Sequence, residues 1–241
     1  MHPSLAIVVE RSAWIGGVDG VSNYIAAQKL GIPCVGTMPH ALIICFENQA
    51  DAWTAFDEVL PKEVPRVCLC DTYYDEKTES IMAAEVLGEK LDGVRLDTTS
   101  SRRGNMKAIV EEVRFELDIR GYEDVEIVVS GSLDDNAVSE LRDVADAFGV
   151  GTFISAAKPI DYALDIVERE GVPCAKRGKL GGRKQVWRRW EDLSHALTSA
   201  DAKMEGMEPI LEKVMEDGEI LIKPDHNLAR KHLLSQLKSF F

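Results

Sequence analysis

The sequence lacks the features that would direct the chain to a membrane or to a secretory route. No apolar run in its 241 residues approaches the roughly 20 that a membrane-spanning helix requires. The N-terminal segment has no basic region ahead of its apolar residues and no small-residue cleavage site, so we expect no signal peptide. These observations predict a cytoplasmic protein with no membrane partner.

Cysteine is scarce, and its five residues are an odd number: Cys34, Cys45, Cys68, Cys70 and Cys174. Most of them lie within apolar segments typical of buried strands, so we interpret them as reduced core residues. Cys68 and Cys70 would share one face of a strand. No second pair of cysteine or histidine residues at ligand spacing accompanies them, so we expect no zinc site.

The chain also lacks an excess of positive charge, because 28 basic residues face 41 acidic ones and the net charge is −13. Binding to nucleic acid requires a basic surface that neutralises phosphates, so we expect no nucleic-acid partner. Basic residues do cluster in one glycine-rich segment, Ala175–Lys184, which we predict to be a loop.

What is present is a regular alternation of short apolar runs and longer helical patterns, which extends to about residue 152. Strands that alternate with helices over short links predict a parallel sheet, and this number of units favours an α/β barrel over a small open sheet. Beyond residue 152 the pattern loosens, and residues 159–170 fit a helix or a strand equally well. We predict a complete or incomplete α/β barrel as the catalytic domain over residues 1–180. A small appendage of strands and a terminal helix should occupy residues 181–241.

Polar residues follow four of the predicted strands at the point where each strand ends. They are Asp71, Asp97, the pair Ser130-Gly131 and the segment Gly149–Thr152. In a barrel the carboxyl ends of the strands form one face, and that face carries the active site. A single aspartate at such a position could equally be a helix N-cap, but four successive positions favour a site.

Two of these segments have the composition of phosphate-binding loops. Ser130-Gly131-Ser132 and Gly149–Thr152 offer backbone N–H groups that no Cβ obstructs, near the start of a helix. A plain tight turn is an equally good interpretation of either loop alone. Their occurrence on successive strands favours a phosphorylated sugar as ligand, with Mg²⁺ held by carboxylates such as Asp97.

The segment Gly16–Ile43 predicts a short strand that ends near Asp19, a helix from about Ser22 to Leu30, a strand over Ile32–Gly36 and an exposed turn that carries His40. Two more polar groups, Asp19 and His40, thus lie near the ends of predicted strands. The segment contains GGVDGVS and GTMPHAL, and here the chain resembles the nicotinate phosphoribosyltransferases in their archaeal, type II form. Further motifs of that family follow in the family's order. They are DTYYDE at 71–76, VRLD at 94–97, VSGSLD at 129–134 and DAFGVGT at 146–152.

The resemblance implies a type II phosphoribosyltransferase barrel that transfers phosphoribosyl from phosphoribosyl pyrophosphate to nicotinate in NAD biosynthesis, coupled to ATP hydrolysis. It implies that ATP phosphorylates His40 and that Arg95 and Asp97 bind the base and the ribose diphosphate. Asp19 would lie near the pyridine ring, and Asp71 and Thr72 would bind substrate. The product's 5′-phosphate would be bound by Ser130, Gly131, Gly149, Gly151 and Thr152.

Alternatives remain open at this point. His40 after Pro39 could be a turn residue bonded to the backbone. A quinolinate phosphoribosyltransferase is the alternative of the same class, although it would need a denser set of cationic side chains and gives His40 no role. Family members carry an N-terminal domain ahead of the barrel, so a split, truncated or non-catalytic relative is a further hypothesis. We therefore expect a homo-oligomer or a partnership with a separate N-terminal domain.

Overall fold

The computed structural model describes residues 2–101 and 104–238. The chain divides into two compact units. The first unit consists of Met1–Ala13 and Asp19–Ala157, and the second of Trp14–Val18 and Lys158–Phe241. The boundary that we expect near residue 180 falls inside the second unit. No helix in the described part of the chain is both long and apolar enough to cross a membrane.

The first unit is built on a parallel sheet whose four strands follow chain order. They are β1 (Val67–Leu69), β2 (Gly93–Leu96), β3 (Glu126–Ser130) and β4 (Ala147–Gly149). Leu69 pairs with Arg95, Leu96 with Val129, and Ser130 with Gly149. The strands therefore end at one common edge, as the sequence predicts for parallel units.

Helices connect these strands and precede the sheet. Their ranges are α1 (Ala6–Gly16), α2 (Tyr24–Leu30), α3 (His40–Ile44), α4 (Gln49–Val59), α5 (Glu76–Leu87), α6 (Met106–Asp118), α7 (Asp135–Leu141) and α8 (Thr152–Ser155). Helix α6 begins after the Asn105 side chain, which accepts a hydrogen bond from Ala108 N at 2.9 Å. It ends in a Schellman turn at Gly121 (φ 85°), where Tyr122 N donates to Leu117 O.

The core of the first unit lies between the sheet and helices α4, α5 and α6. Trp53, Leu69, Leu96, Leu117 and Ile127 are its largest fully buried apolar side chains besides Met38 and Ile43. Every residue of β2 is buried, Arg95 included, so both faces of this strand are covered.

The region before the sheet differs from the sequence prediction. We expected strands near Asp19 and over Ile32–Gly36, but the described structure has only one parallel bridge there, between Val21 and Cys34. Pro33 explains the difference in part, because it has no N–H to extend the ladder. The helix expected from Ser22 begins two residues later, because the Asn23 side chain caps it by accepting from Ala26 N.

The second unit is mainly antiparallel. It contains the hairpin β5 (Glu168–Arg169)/β6 (Val172–Pro173) and the sheet β8 (His195–Ser199)–β7 (Lys184–Arg188)–β9 (Glu208–Pro209). The hairpin β10 (Met215–Glu216)/β11 (Glu219–Ile220) precedes the terminal helix α9 (His226–Leu237). Arg230 of α9 donates to Trp14 O and Val18 O at 2.5 and 2.7 Å, and its guanidinium lies 4.1 Å from the centre of the Trp14 ring.

Candidate functional site

The ends of β2 and β3 hold a buried arginine and its carboxylate partner. Arg95 Nη1 lies 2.7 Å from Asp97 Oδ1 and donates to Ser130 Oγ at 3.0 Å, and its Nη2 donates to Met38 O at 2.5 Å. Ser130 Oγ in turn donates to Asp97 Oδ1 at 2.6 Å. A buried guanidinium is stable only when it is paired and hydrogen-bonded, and these contacts meet that requirement.

A second carboxylate, that of Asp71, lies beside this pair at the end of β1. Its Oδ2 accepts hydrogen bonds from Asp97 N at 2.5 Å and Thr98 Oγ1 at 3.0 Å. Its Oδ1 is buried and has no hydrogen-bond partner among the described residues. Burial raises the pKa of the Asp71 carboxyl group above its usual value, although the two hydrogen bonds to Oδ2 oppose that shift.

His40 joins the two carboxylates. We expected it in an exposed turn, but it is the first residue of α3, and its side chain is about one-third exposed (32%). Its Nδ1 lies 3.0 Å from Thr72 Oγ1, and its Nε2 lies 3.6 Å from Asp71 Oδ1 and 3.5 Å from Asp97 Oδ2. The contacts at both nitrogens fix the orientation of the ring.

The turn after β3 requires glycine for packing reasons. Gly131 has φ 92°, and a Cβ there would collide with the carbonyl oxygen of Asp97. A Cβ at Gly149 would lie 2.9 Å from Ser130 Cβ, which is closer than such atoms approach each other. Both glycines therefore allow the strand ends to approach closely around Asp97 and Ser130, whatever else they bind.

A cavity of about 350 Å³ opens beside Asp71, lined by Asp71, Tyr74, Asp75, Glu76, Thr98 and Ser101. Three of these residues are carboxylates, so a diphosphate could enter only with a cation that offsets their charge. No set of three or more histidine, cysteine, aspartate or glutamate residues in the described ranges is placed to hold a metal ion alone. Asp97 Oδ1 contacts Arg95 and Ser130, whereas its Oδ2 faces His40 Nε2 at 3.5 Å.

The family profile described as "Quinolinate phosphoribosyl transferase, C-terminal domain" matches residues 1–165. All of the residues that form the cluster around Asp97 lie within that range. The chain belongs to the quinolinate phosphoribosyl transferase C-terminal domain family.

Relatives within the curated proteins sharpen this family assignment. A nicotinate phosphoribosyltransferase of Mycobacterium tuberculosis is 34% identical over 232 residues, which cover 88% of this chain and 48% of the relative. One from Bacillus subtilis is 30% identical over 174 residues, which cover 67% and 34%. This chain thus spans about half the length of the M. tuberculosis relative and a third of the other. The predicted resemblance to nicotinate phosphoribosyltransferases is confirmed.

Two solved structures share the fold. The nicotinate-nucleotide pyrophosphorylase of Pyrococcus furiosus is 53% identical with a TM-score of 0.94, and the match covers all of this chain and 64% of that one. Human nicotinic acid phosphoribosyltransferase has a TM-score of 0.66 at 18% identity, covering 99% and 62%, and shows the fold alone. With the four-stranded parallel sheet, they confirm the predicted fold class, an incomplete α/β barrel with a C-terminal appendage.

In this family member the structure brings together His40, Asp71, Thr72, Arg95, Asp97 and Ser130 of the predicted residues, with Gly131 and Gly149 packed against them. Gly151 and Thr152 lie at the start of the four-residue helix α8, just after β4, and both are exposed. Asp19 is exposed and lies two residues before the Val21–Cys34 bridge. The roles expected for all of the predicted site residues stay predictions.

Sequence reasoning missed Glu79 of α5, which holds a loop of the site through hydrogen bonds. Its fully buried carboxylate accepts hydrogen bonds from Thr72 N at 2.9 Å, Tyr73 N at 2.6 Å and Tyr74 N at 2.8 Å. It therefore holds the loop whose Thr72 hydroxyl contacts His40. One signal was available, because Glu79 lies on the stripe that also contains the buried residues Ala83 and Leu87. A carboxylate on the inward face of a helix needs hydrogen-bond donors.

Proposed function

We propose that this chain provides the catalytic barrel of a nicotinate phosphoribosyltransferase that acts in cytoplasmic NAD biosynthesis. The pyridine nitrogen of nicotinate would attack C1 of phosphoribosyl pyrophosphate and form the N–C1 bond. The C1–O bond would break, and its electron pair would leave with pyrophosphate. The observation that carries the proposal is the buried Arg95–Asp97–Ser130 group, placed beside His40 and Asp71 at the carboxyl edge of the sheet. The names of the relatives at 30–34% identity support the same substrates.

The proposed roles follow from charge. As the C1–O bond breaks, the sugar gains oxocarbenium character, and the nearby carboxylates of Asp71 and Asp97 would stabilise that positive charge. Arg95 holds Asp97 through Oδ1 and fixes the direction of Oδ2. Because the groups are held by the strand ends, catalysis would rest mainly on positioning and electrostatics.

Mg²⁺ is the cofactor that the acidic cavity favours. We propose that Asp97 Oδ2 contributes one ligand and the substrate diphosphate others, since Mg²⁺ usually binds through one or two carboxylates and substrate phosphates. When bound, the ion would neutralise charge on the departing pyrophosphate. The anionic 5′-phosphate end would lie at the backbone N–H groups of Ser130-Gly131 and Gly149–Thr152, as the sequence predicts.

His40 is the proposed acceptor of the ATP γ-phosphoryl group. A nitrogen–phosphorus bond would form as ADP leaves, and water would later release phosphate. The Thr72 hydroxyl at Nδ1 and the two carboxylates near Nε2 would hold the ring during both steps. His40→Ala should abolish phosphohistidine and ATP hydrolysis but leave some ATP-independent product. His195→Ala, an exposed histidine of β8, is the matched control, and phosphohistidine persisting in His40→Ala by mass spectrometry would reject the role.

Binding of phosphoribosyl pyrophosphate tests the site itself. Calorimetry with Mg²⁺ should show that Asp97→Ala weakens binding at least about tenfold, an effect of about 1.4 kcal/mol. Asp97→Asn, which retains the shape of the side chain, should also weaken it. Glu126→Ala removes a carboxylate from the exposed, opposite end of β3 and should leave binding unchanged. Unchanged affinity in folded Asp97→Ala would reject the proposal.

The nature of the base requires a separate assay. Labelled nicotinate should yield nicotinate mononucleotide and pyrophosphate, whereas quinolinate would give the same nucleotide only with release of CO₂. The assay should compare the chain alone with the chain plus the additional polypeptide that its relatives possess. Turnover of quinolinate but not nicotinate would favour the alternative reaction of the same class.

A further inference from the structure

The second unit has almost no core of its own. Among its described residues, 14–18 and 158–238, Trp187 alone is buried. Large apolar side chains are instead at its surface, including Leu211, Val214, Met215 and Ile220, each more than half exposed. Exposed apolar surface of this kind is typical of a surface that contacts another polypeptide.

One segment of this unit, residues 159–167, has the sequence pattern of a strand but is not part of a strand in the structure. Ile160, Tyr162, Leu164 and Ile166 alternate with other residues, and their exposures are 77%, 91%, 101% and 75%. Alternation with period two indicates a strand that covers one apolar face. The opposite positions include two aspartates, and Asp165 is held by Lys176 Nζ at 3.0 Å.

The peptide groups of this segment are open for pairing. Within the described residues, none of the backbone N–H or C=O groups of residues 158–166 joins a backbone–backbone hydrogen bond. Pairing begins only at Val167, whose carbonyl oxygen accepts from Cys174 N at 3.0 Å, and continues into β5. The segment is thus anchored at its C-terminal end and offers unpaired hydrogen-bonding groups ahead of that anchor.

We propose that residues 159–167 form the docking edge for a β-strand from the portion of polypeptide that relatives possess and this chain does not span. The P. furiosus structure matches this chain along its full length, yet that match leaves about a third of its own chain outside. That additional polypeptide needs a surface to pack on, and the second unit presents an uncovered apolar face beside open peptide groups. Strand addition of this kind takes affinity from backbone hydrogen bonds and specificity from the alternate side chains.

A second copy of this chain fits the edge less well. An antiparallel self-pairing that opposes all four apolar residues would place Ile160 opposite Ile166 and Tyr162 opposite Leu164. The same register would place Asp161 opposite Asp165 of the other copy, and like charges directly opposite each other are destabilising. A different polypeptide with an amphipathic strand avoids that repulsion.

The test is coexpression of the 241-residue chain with the unmatched portion of the P. furiosus protein, which carries an affinity tag. The two should co-purify, and hydrogen exchange should show slower exchange of the amides of residues 159–167 in the complex. Leu164→Lys should weaken the dissociation constant about tenfold or more, because a central apolar contact is lost. Ala163→Lys, on the opposite side of the same segment, is the matched control and should have only a small effect. Both sites are exposed, so neither substitution should disturb folding.

Three outcomes would overturn the proposal. They are failure to co-purify, protection that appears elsewhere but not in residues 159–167, and equal effects of the two lysine substitutions. Sedimentation that shows the chain alone self-associating, with Leu164→Lys abolishing the association and no complex with the added polypeptide, would identify a second copy as the occupant instead. These readouts measure binding only, so they are independent of whether the phosphoribosyl transfer proposed above takes place.

Discussion

The two units bury one tryptophan each below 10% exposure, and the comparison shows how differently they are stabilised. Trp53 is fully buried among the helices and strands of the first unit, and its Nε1 donates to Leu69 O at 3.2 Å. Trp187 is 9% exposed, and its Nε1 donates to Thr198 Oγ1 at 2.8 Å on the neighbouring strand. The first side chain belongs to an extended core, whereas no other described residue of the second unit is buried. The first unit is therefore stabilised by an extended apolar core, whereas the second is held mainly by hairpins and by hydrogen bonds between its strands.

Arginine residues show the same contrast. All five N–H donors of Arg66 in the first unit are used, because Nε bonds Asp57 and the terminal nitrogens bond backbone carbonyls around Pro61. Arg188 in β7 bonds Gln236 at 3.0 Å, but its Nε is buried without a hydrogen-bond partner among the described residues. Ser194 Oγ and His226 Nε2 of the same unit are likewise unsatisfied. Among the described residues of the first unit, the corresponding exception is Asp71 Oδ1, and it lies in the candidate site. The unsatisfied polar groups of the second unit therefore accompany its small core, whereas the one in the first unit belongs to the candidate site.

The tryptophan comparison gives the largest expected effect. Trp53→Ala should lower the free energy of unfolding of the first unit by about 3–5 kcal/mol, because it leaves a cavity in a close-packed core. Trp187→Ala should destabilise only the sheet of β7, β8 and β9. Urea unfolding followed by hydrogen exchange resolves the two units. If Trp187→Ala destabilises the first unit as strongly as Trp53→Ala does, the contrast between the units is wrong.

The second largest effect on stability is expected from replacing one arginine in each unit. Arg95→Met removes a buried cation and leaves Asp97, Ser130 and Met38 O without their donor, so it should cost about 3 kcal/mol. Arg188→Met removes a partly exposed arginine that already has one unsatisfied donor, and it should cost less than about 1 kcal/mol. Thermal unfolding of both variants provides the measurement, and equal losses would contradict the comparison.

Local sequence signals predicted most of the first unit. The apolar repeat Ile109, Val113, Leu117 and the stop signal Gly121 predict a helix over Asn105–Arg120, and α6 spans Met106–Asp118. This agreement follows because helical periods and stop signals depend on residues near in the chain. The strand ends also predicted that Asp71, Asp97 and Ser130 would meet, since parallel strands present their carboxyl ends at one edge. Arg95 was named only by the family resemblance.

The secondary structure of the second unit and of the segment before the sheet was predicted less accurately. Residues 159–166 have the period of a strand, but a strand forms only when a partner supplies hydrogen bonds, and the described residues supply no backbone hydrogen bond to them. The strand expected over Ile32–Gly36 shrinks to one bridge for a related reason, because Pro33 lacks a donor. Glu79 was missed because its donors, at Thr72–Tyr74, become neighbours only after the loop folds back.

Replacing Glu79 should have a smaller effect on stability. It also tests whether Glu79 holds the candidate site or only stabilises the core. Glu79→Gln replaces one acceptor oxygen by an amide donor, which would face backbone N–H groups, and should cost about 1–3 kcal/mol. The loop would loosen, Thr72 would leave His40, and the imidazole NMR signals of His40 should shift. Glu85→Gln, at an exposed position of the same helix, is the control. His40 signals that stay unchanged in a destabilised Glu79→Gln protein would assign Glu79 to the core alone.

The smallest effect is a pH dependence that differs in sign between two aspartates of the first unit, one in the site and one in the scaffold. Burial raises the pKa of Asp71 above the usual 3.8, so the folded state binds this proton more tightly than the unfolded state. The resulting stability is present below pH 3.8 and is lost as pH rises through the raised value, and Asp71→Asn removes that loss. Relative to the wild type, Asp71→Asn should therefore become more stable as pH rises from 3.5 to 7.

Asp57 is the control with the opposite sign. Hydrogen bonds from Lys90 first and Arg66 second lower the pKa of Asp57 below 3.8. Its contribution to stability is therefore present above pH 3.8 and is lost as pH falls through the lowered value. Relative to the wild type, Asp57→Asn should become less stable over the same rise in pH. Urea midpoints of the three proteins at each pH give the two differences directly. If the stability differences of the two variants change with pH in the same direction, burial does not raise the pKa of Asp71. Asp71 would then behave like Asp57, a carboxylate outside the site.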